Sequence, residues 1–113
     1  MCFTIDPKHP KKKIAKRDIT CYKVLEENLI SPYLDYQYTL NKLVKDKIVL
    51  ELSSWRDSIN EGLHSYSSKM NAKIWSSWGR ITYLAIIPKG SEYYYDSIDK
   101  EYVSNQIIIK ERL

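Results

Sequence analysis

The sequence predicts an α+β domain. Its core is a strongly bent, mostly antiparallel sheet of about six short strands, with one or two short helices. Two observations carry this. Short runs of β-branched and aromatic residues recur along the chain, separated by Pro, Gly, Ser and Asp. They do not alternate with long helical patterns, which disfavours a parallel doubly wound sheet. At 113 residues and 13.4 kDa the chain is sized for one domain.

Residues 1–17 read as a basic arm. They hold Lys8, Lys11, Lys12, Lys13, Lys16 and Arg17 against one acid, Asp6. Pro7 and Pro10 bracket Lys8 and His9, and only Phe3 and Ile5 offer an edge strand. The arm is either a solvated tail or an electrostatic anchor for phosphates. Residues 18–113 then form the single α+β domain. Ile19 to Leu25 alternate as a first strand, with Lys23 the odd member on the Cys21 face. Pro32 breaks the chain, Tyr36–Leu40 alternates again, residues 41–46 connect, and Lys47–Leu52 continues in strand style.

Residues 53–61 have the pattern of a helical turn, with Ser53 or Ser54 at the N-cap, Asp57 in a weak capping box and Gly62 as the stop. Leu63–Tyr66 is a short strand. Ser67 or Ser68 then caps a helix over residues 69–75, with Met70, Ile74 and Trp78 spaced for one apolar face and Gly79 after it. Residues 80–87 give the strongest strand pattern, since Leu84–Ile87 is continuously apolar, as a strand buried on both faces would be. Pro88–Ser91 is a turn, with Pro88 in its second position and Gly90 accepting positive φ. Tyr93–Tyr95, an Asp/Ser-rich turn and the buried strand Ile107–Ile109 complete the order.

Several function classes are thinly supported. The net charge is +4 and the pI about 9.0, which invites a nucleic-acid reading. Yet residues 1–17 carry +5 and residues 18–113 carry −1, so any nucleic-acid contact is expected through the arm alone. No run of 18 apolar residues and no apolar stretch after the N-terminal charges occurs, so no membrane partner and no secretory signal are expected. Two cysteines, Cys2 and Cys21, make no disulfide framework, and no Cys/His spacing suggests a metal. A reducing cytoplasm is the simplest compartment. Three glycines supply neither a phosphate loop nor a dinucleotide fingerprint, so no cofactor is expected.

The candidate ligand-binding residues are His64, Lys23, Arg80, Tyr66, Trp75, Trp78, Lys89 and Tyr94. A neutral imidazole at His64 can hydrogen-bond a phosphate, ribose or base; it can equally be a packed histidine satisfied by backbone. Lys23 is a phosphate contact or a solvated edge lysine. Lys89 sits in a turn whose amides could face an anion. Arg56 and Arg80 offer bidentate forks, Arg80 being better placed after Gly79. Ten tyrosines and three tryptophans serve as sheet formers, as an interface or as stacking surfaces for a base. Three adjacent tyrosines, Tyr93–Tyr95, cannot all share a strand face. Ser65 beside His64 is no dyad, because strand neighbours point to opposite faces. No nucleophile elbow and no Ser-His-Asp order stands out, so a binding protein is favoured over an enzyme.

The succession ITCYKVL, GLHSY, IIPKGSEYYYD and EYVSNQIII, over residues 19–109, resembles a group of small proteins found largely in phages and phage-like elements of bacteria. Their pattern is a Tyr-Lys strand, Gly-x-His-Ser-Tyr, Ile-Pro-Lys-Gly-x-x-Tyr-Tyr and an Ile-rich last strand. Leu63 stands where a bulkier aromatic is usual, a change of packing. The element order is also similar to the second half of ADP-ribosyltransferase-like folds, with His64-Ser65 and Glu101 as counterparts. The Ser-Thr-Ser and Glu-x-Glu motifs are absent, and the late segment reads Glu101-Tyr102-Val103. The phage resemblance implies a non-catalytic binding protein in the host cytoplasm. It would sequester a phosphate-bearing small molecule, a nucleotide immune signal, against host defence, as a homo-oligomer. The alternatives are a protein-binding inhibitor of a host enzyme through a Tyr-rich surface, and an RNA- or DNA-binding module using the arm.

Overall fold

The computed structural model describes residues 3–5, 8, 11–26, 29, 38–51, 58–75 and 80–113. Eleven strands and one helix occur among them: β1 (Phe3–Thr4), β2 (Lys13–Ile14), β3 (Ile19–Leu25), β4 (Leu43–Lys45), β5 (Val49–Glu51), β6 (Ser58–Glu61), β7 (Leu63–Tyr66), α1 (Lys69–Trp75), β8 (Ile81–Ile87), β9 (Glu92–Asp96), β10 (Glu101–Ser104) and β11 (Gln106–Arg112). Eight form one sheet in the order β2-β9-β10-β7-β3-β8-β11-β4, and three form a second in the order β1-β6-β5. Every strand pairing is antiparallel.

The architecture is therefore the mostly antiparallel sheet with a short helix, but with more strands than about six. The additions have local causes. The segment read as a helical turn contains β6, because Ile59 is wholly buried against Tyr94 and Val103, and sheet pairing to β1 and β5 wins over a weak cap; residues 52–57 lie outside the described residues. The connector 41–46 contains β4, since Val44 packs into the core. Of the Tyr36–Leu40 run, Tyr36 and Gln37 lie outside the described residues, while Leu40 makes only an isolated parallel bridge to Ile109. Glu101–Ser104, too polar to stand out in sequence, is held between β7 and β9.

β3 and β8 pair over all seven residues, from Ile19 opposite Ile87 to Leu25 opposite Ile81. Directly paired residues share a face, so Cys21, Leu25, Tyr83, Ala85 and Ile87 project together. They join Leu63, Ile107, Ile109, Val44 and Tyr38 in the main core. Residues from five adjacent strands of one sheet, β7, β3, β8, β11 and β4, meet in this one cluster. On the other face lie two smaller clusters, Val24–Tyr66–Ala72 under α1 and Ile59–Tyr94–Val103 under the second sheet.

The helix starts where Ser68 accepts the Asn71 amide through Oγ at 3.4 Å. It does not bury the expected apolar face. Ala72 is fully buried, whereas Met70 is 74% and Ile74 64% exposed. Val24 and Tyr66 fill the space beneath the helix and leave room for a methyl group. Trp78, third in the expected stripe, lies outside the described residues.

The basic segment enters the fold rather than hanging from it. β1 pairs with β6 and β2 with β9. Lys12 Nζ meets Glu92 at 2.6 Å, and Ala15 exchanges backbone hydrogen bonds with Ser91 and Gly90. The next turn is built differently from its sequence reading: Ser91 N donates to Pro88 O and Gly90 has φ 89°, so Pro88 is the first residue of the turn and Lys89 the second.

Gly62 links β6 to β7 at φ 150°, and a Cβ there would collide with Val103 Cγ2. Gly62→Ala is expected to destabilise the fold by about 1–3 kcal/mol. A urea titration checks this; an unchanged midpoint would show that the β6–β7 junction is not built as described.

Candidate functional site

The register decides where each candidate side chain goes. Lys23 lies on the core face, only 6% exposed, and is neither a surface phosphate contact nor a solvated edge lysine. Its ammonium donates to the His64 carbonyl and stands 5.3 Å from the centroid of the Tyr38 ring. A charge-assisted bond of about 1.5–3 kcal/mol and a desolvated cation–π contact of roughly 2 kcal/mol offset its burial. His64 projects from the opposite face of β7. Its Nδ1 lies 3.2 Å from Glu101 Oε1, with side chains 26% and 12% exposed. His64 and Glu101, marked by the transferase resemblance, thus meet diagonally, two residues of β10 from direct pairing, since His64 opposes Val103 and Tyr66 opposes Glu101.

The remaining candidates are dispersed. Tyr66 is buried against Val24 and Ala72, closed to a stacking base. Tyr94 is buried against Ile59 and Val103 and borders a 320 Å³ cleft with Lys12, Lys47, Asp46 and Glu92. Tyr93 and Tyr95 take the other face and pack on Tyr102, at 5.8 and 5.0 Å between centroids. Lys89 has an exposed side chain, but its turn offers no open amide cradle. Asp18 Oδ1 accepts the Lys89 amide at 2.9 Å, Ala15 O accepts that of Gly90 and Pro88 O that of Ser91. The Trp75 side chain, Trp78 and Arg56 lie outside the described residues. Of the eight described tyrosines, Tyr38, Tyr66, Tyr83 and Tyr94 are buried, and Tyr22, Tyr93, Tyr95 and Tyr102 are half-buried.

Arg80 alone among the candidates opens onto a cationic cleft. It lines a 310 Å³ depression with Lys73, Ile81, Thr82, Arg112 and Leu113. Lys73 comes from the last turn of α1. Arg112 comes from the end of β11, where it pairs with Tyr83, and Leu113 N donates to Thr82 O at 3.0 Å. Lys73, Arg80 and Arg112 and no Asp or Glu side chain line this cleft among the described residues. Sequence reasoning missed Lys73 and Arg112. Pairing the Ile-rich last strand antiparallel to residues 80–87 is the signal that would have brought Arg112 beside Arg80.

Among the described residues no group of three His, Cys, Asp or Glu can hold a metal ion, and no helix is long and apolar enough to cross a membrane. No protein-family model, no curated protein and no solved structure matches the chain.

Three groups on the core face, Cys21, Tyr38 and Tyr102, have their pKa raised by burial. Burial pushes the Cys21 thiol from 9.0 up to about 11, against the smaller opposing effects of Ser65 and the Lys23 charge. Burial pushes the Tyr102 phenol from 10.0 up to about 12, with nearby Tyr95 adding to it, and raises Tyr38 further, helped by Asp46. An acid with a raised folded-state pKa stabilises the fold below its unfolded pKa and loses that contribution as pH rises. Stability is therefore expected to fall between pH 9.0 and about 11, with the phenols extending the loss upward. Urea midpoints across that range check it: Cys21→Ala should flatten the first part of the slope, and a flat wild-type profile would contradict the buried placement.

Proposed function

We propose that the protein binds a phosphate-bearing small molecule without transforming it, and acts by sequestration. The single observation that carries this reading is the Lys73–Arg80–Arg112 cleft, whose described lining has three cationic residues and no Asp or Glu. Guanidinium and ammonium groups are the side chains that complement the charge of phosphate oxygens. Residues 18–113 have a net charge of −1, so within them the grouped cations of this cleft are a local feature and not a general surplus. The phage-type motifs support a role in which a nucleotide signal of host defence is withheld from its receptor. Self-association of copies would raise the number of such clefts per particle, and the compartment is the host cytoplasm.

His64, Lys23, Tyr66 and Tyr94 are outside this cleft's described lining and act as framework in this reading. The arm is joined to the fold through the Lys12–Glu92 pair and the β2–β9 pairing, and Lys11, Lys16 and Arg17 remain exposed on it.

Calorimetric titration of a nucleotide panel is expected to give micromolar binding with the nucleotide recovered unchanged. Arg80→Gln should weaken it by about tenfold or more, the equivalent of about 1.4 kcal/mol. Absence of binding by every nucleotide at micromolar concentration would sink the reading.

A second reading, inhibition of a host protein, is favoured by one observation. Met70, Ile74 and Ile98 are 74%, 64% and 78% exposed, on α1 and on the turn that Asn71 Nδ2 ties to it through Asp99 O at 3.0 Å. Large exposed apolar side chains on adjoining elements mark docking surfaces. In that case Ile74→Ser removes capture of the host enzyme and leaves nucleotide affinity unchanged.

A further inference from the structure

The 320 Å³ cleft beside Tyr94 shares no described lining residue with the Lys73–Arg80–Arg112 cleft. We infer that it binds a zwitterion, a free α-amino acid with an apolar side chain. Its walls come from separate parts of the chain. Lys12 leads into β2, Glu92 and Tyr94 lie on β9, Asp46 and Lys47 follow β4, and Asn105 turns β10 into β11. Hydrogen bonds tie three of these parts together. Asp46 N donates to Asn105 O at 3.0 Å, Asn105 N to Glu92 O at 3.0 Å, and Glu92 N to Asn105 Oδ1 at 2.8 Å. The cleft is thus built into the fold, and its volume is that of a small-molecule site.

Two observations point to a ligand. Tyr94 is only 6% exposed and borders the cleft, yet no hydrogen bond engages its hydroxyl among the described residues. A buried phenol ordinarily finds a partner. Ser65 Oγ is the one fully sealed side-chain polar atom without a partner among the described residues, so the Tyr94 hydroxyl is not sealed and opens on the cleft. The second observation concerns charge. Lys12 and Glu92 pair with each other at 2.6 Å. Asp46 and Lys47 also line the cleft, but no ion pair engages either among the described residues; Asp46 Oδ1 accepts the Lys47 backbone amide at 2.9 Å.

One cation and one anion therefore remain for a ligand, and they call for both signs on one molecule. A carboxylate suits the Lys47 ammonium and the Tyr94 hydroxyl, and an ammonium suits Asp46, each through charge-assisted hydrogen bonds. A polyanion such as a nucleotide would meet Asp46 and Glu92 as like charges. A neutral sugar would desolvate Lys47 and Asp46 without supplying either a counter-charge. Ile48 is the aliphatic member of the described lining and packs on the Ile59–Tyr94–Val103 cluster, which suits an apolar side chain on the ligand.

The test is calorimetric titration of the full chain with leucine, N-acetylleucine, leucine methyl ester, glucose and AMP. Leucine is expected to bind with a Kd of about 1 mM or tighter. The acetyl and ester derivatives each lack one charge and should bind at least about tenfold more weakly. Tyr94→Phe keeps the ring in its cluster, Lys47→Met changes an exposed position, and Asp46→Asn keeps an oxygen for the Lys47 amide. Each should weaken leucine by about tenfold, with circular dichroism confirming the fold. Arg80→Gln should leave leucine affinity within about threefold, since Arg80 is outside this cleft's described lining. Leucine bound no tighter than its ester or acetyl derivative overturns the zwitterion. Glucose or AMP bound tighter than leucine, and weakened by Lys47→Met, assigns the cleft to another ligand class and overturns the inference. No leucine binding, or binding that Tyr94→Phe and Lys47→Met leave unchanged, overturns the site. The anion-binding reading stands or falls separately, on the response of nucleotide binding to Arg80→Gln.

Discussion

The pairing of Ile19–Leu25 with Ile81–Ile87 is the constraint on which the rest of the molecule depends. It is the one interface between strands that runs unbroken over seven residues, and it sits in the middle of the eight-stranded order. A one-residue slip would exchange every side chain between faces. In the observed register Cys21, Leu25, Ala85 and Ile87 enter the main core, and Val24 with Thr82 turns toward the helix side. β7 attaches to one flank through Tyr22 and Tyr66, and β11 to the other through Ile108 and Ile86. Both candidate sites are thereby fixed. His64 meets Glu101 on the β7 side, and Arg112 meets the mouth of β8 on the β11 side.

The same register forces a lysine into the interior. Lys23 is accommodated because a backbone carbonyl and an aromatic face stand where its ammonium arrives. That arrangement ties β3 to β7 across a stretch where only one residue pair is in ladder register. Burial itself keeps the nearby thiol and phenols neutral, and the Lys23 charge opposes it only slightly at Cys21. The helix is subject to the opposite limit. Little space remains above Val24 and Tyr66, so α1 buries Ala72 and leaves Met70 and Ile74 outside.

Much of the fold was legible in the sequence where pattern and burial coincide. Residues 19–25, 63–66 and 69–75 form the elements their patterns suggest, and the apolar run at 84–87 is indeed central. The alternation of Tyr93–Tyr95 correctly separates Tyr94 from its neighbours. Legibility failed where tertiary pairing overrides local preference. β10 is polar in sequence and exists because two strands flank it; β6 has the composition of a capped turn and is held by Ile59. The candidate residues show the same division. Arg80 is a strand-entry arginine and was visible as such. Lys73 and Arg112 become its neighbours only through packing, and the Lys89 amides lost their anion role to contacts from Asp18 and Ala15.

The central claim is the β3–β8 register, and cross-strand Hα–Hα nuclear Overhauser effects measure it most directly. The effects should connect alternate members of one partner series, either Thr20–Ile86, Tyr22–Leu84 and Val24–Thr82, or Cys21–Ala85 and Lys23–Tyr83. Effects displaced by one residue, such as Lys23 to Thr82, would place Lys23 on the outer face and contradict the account.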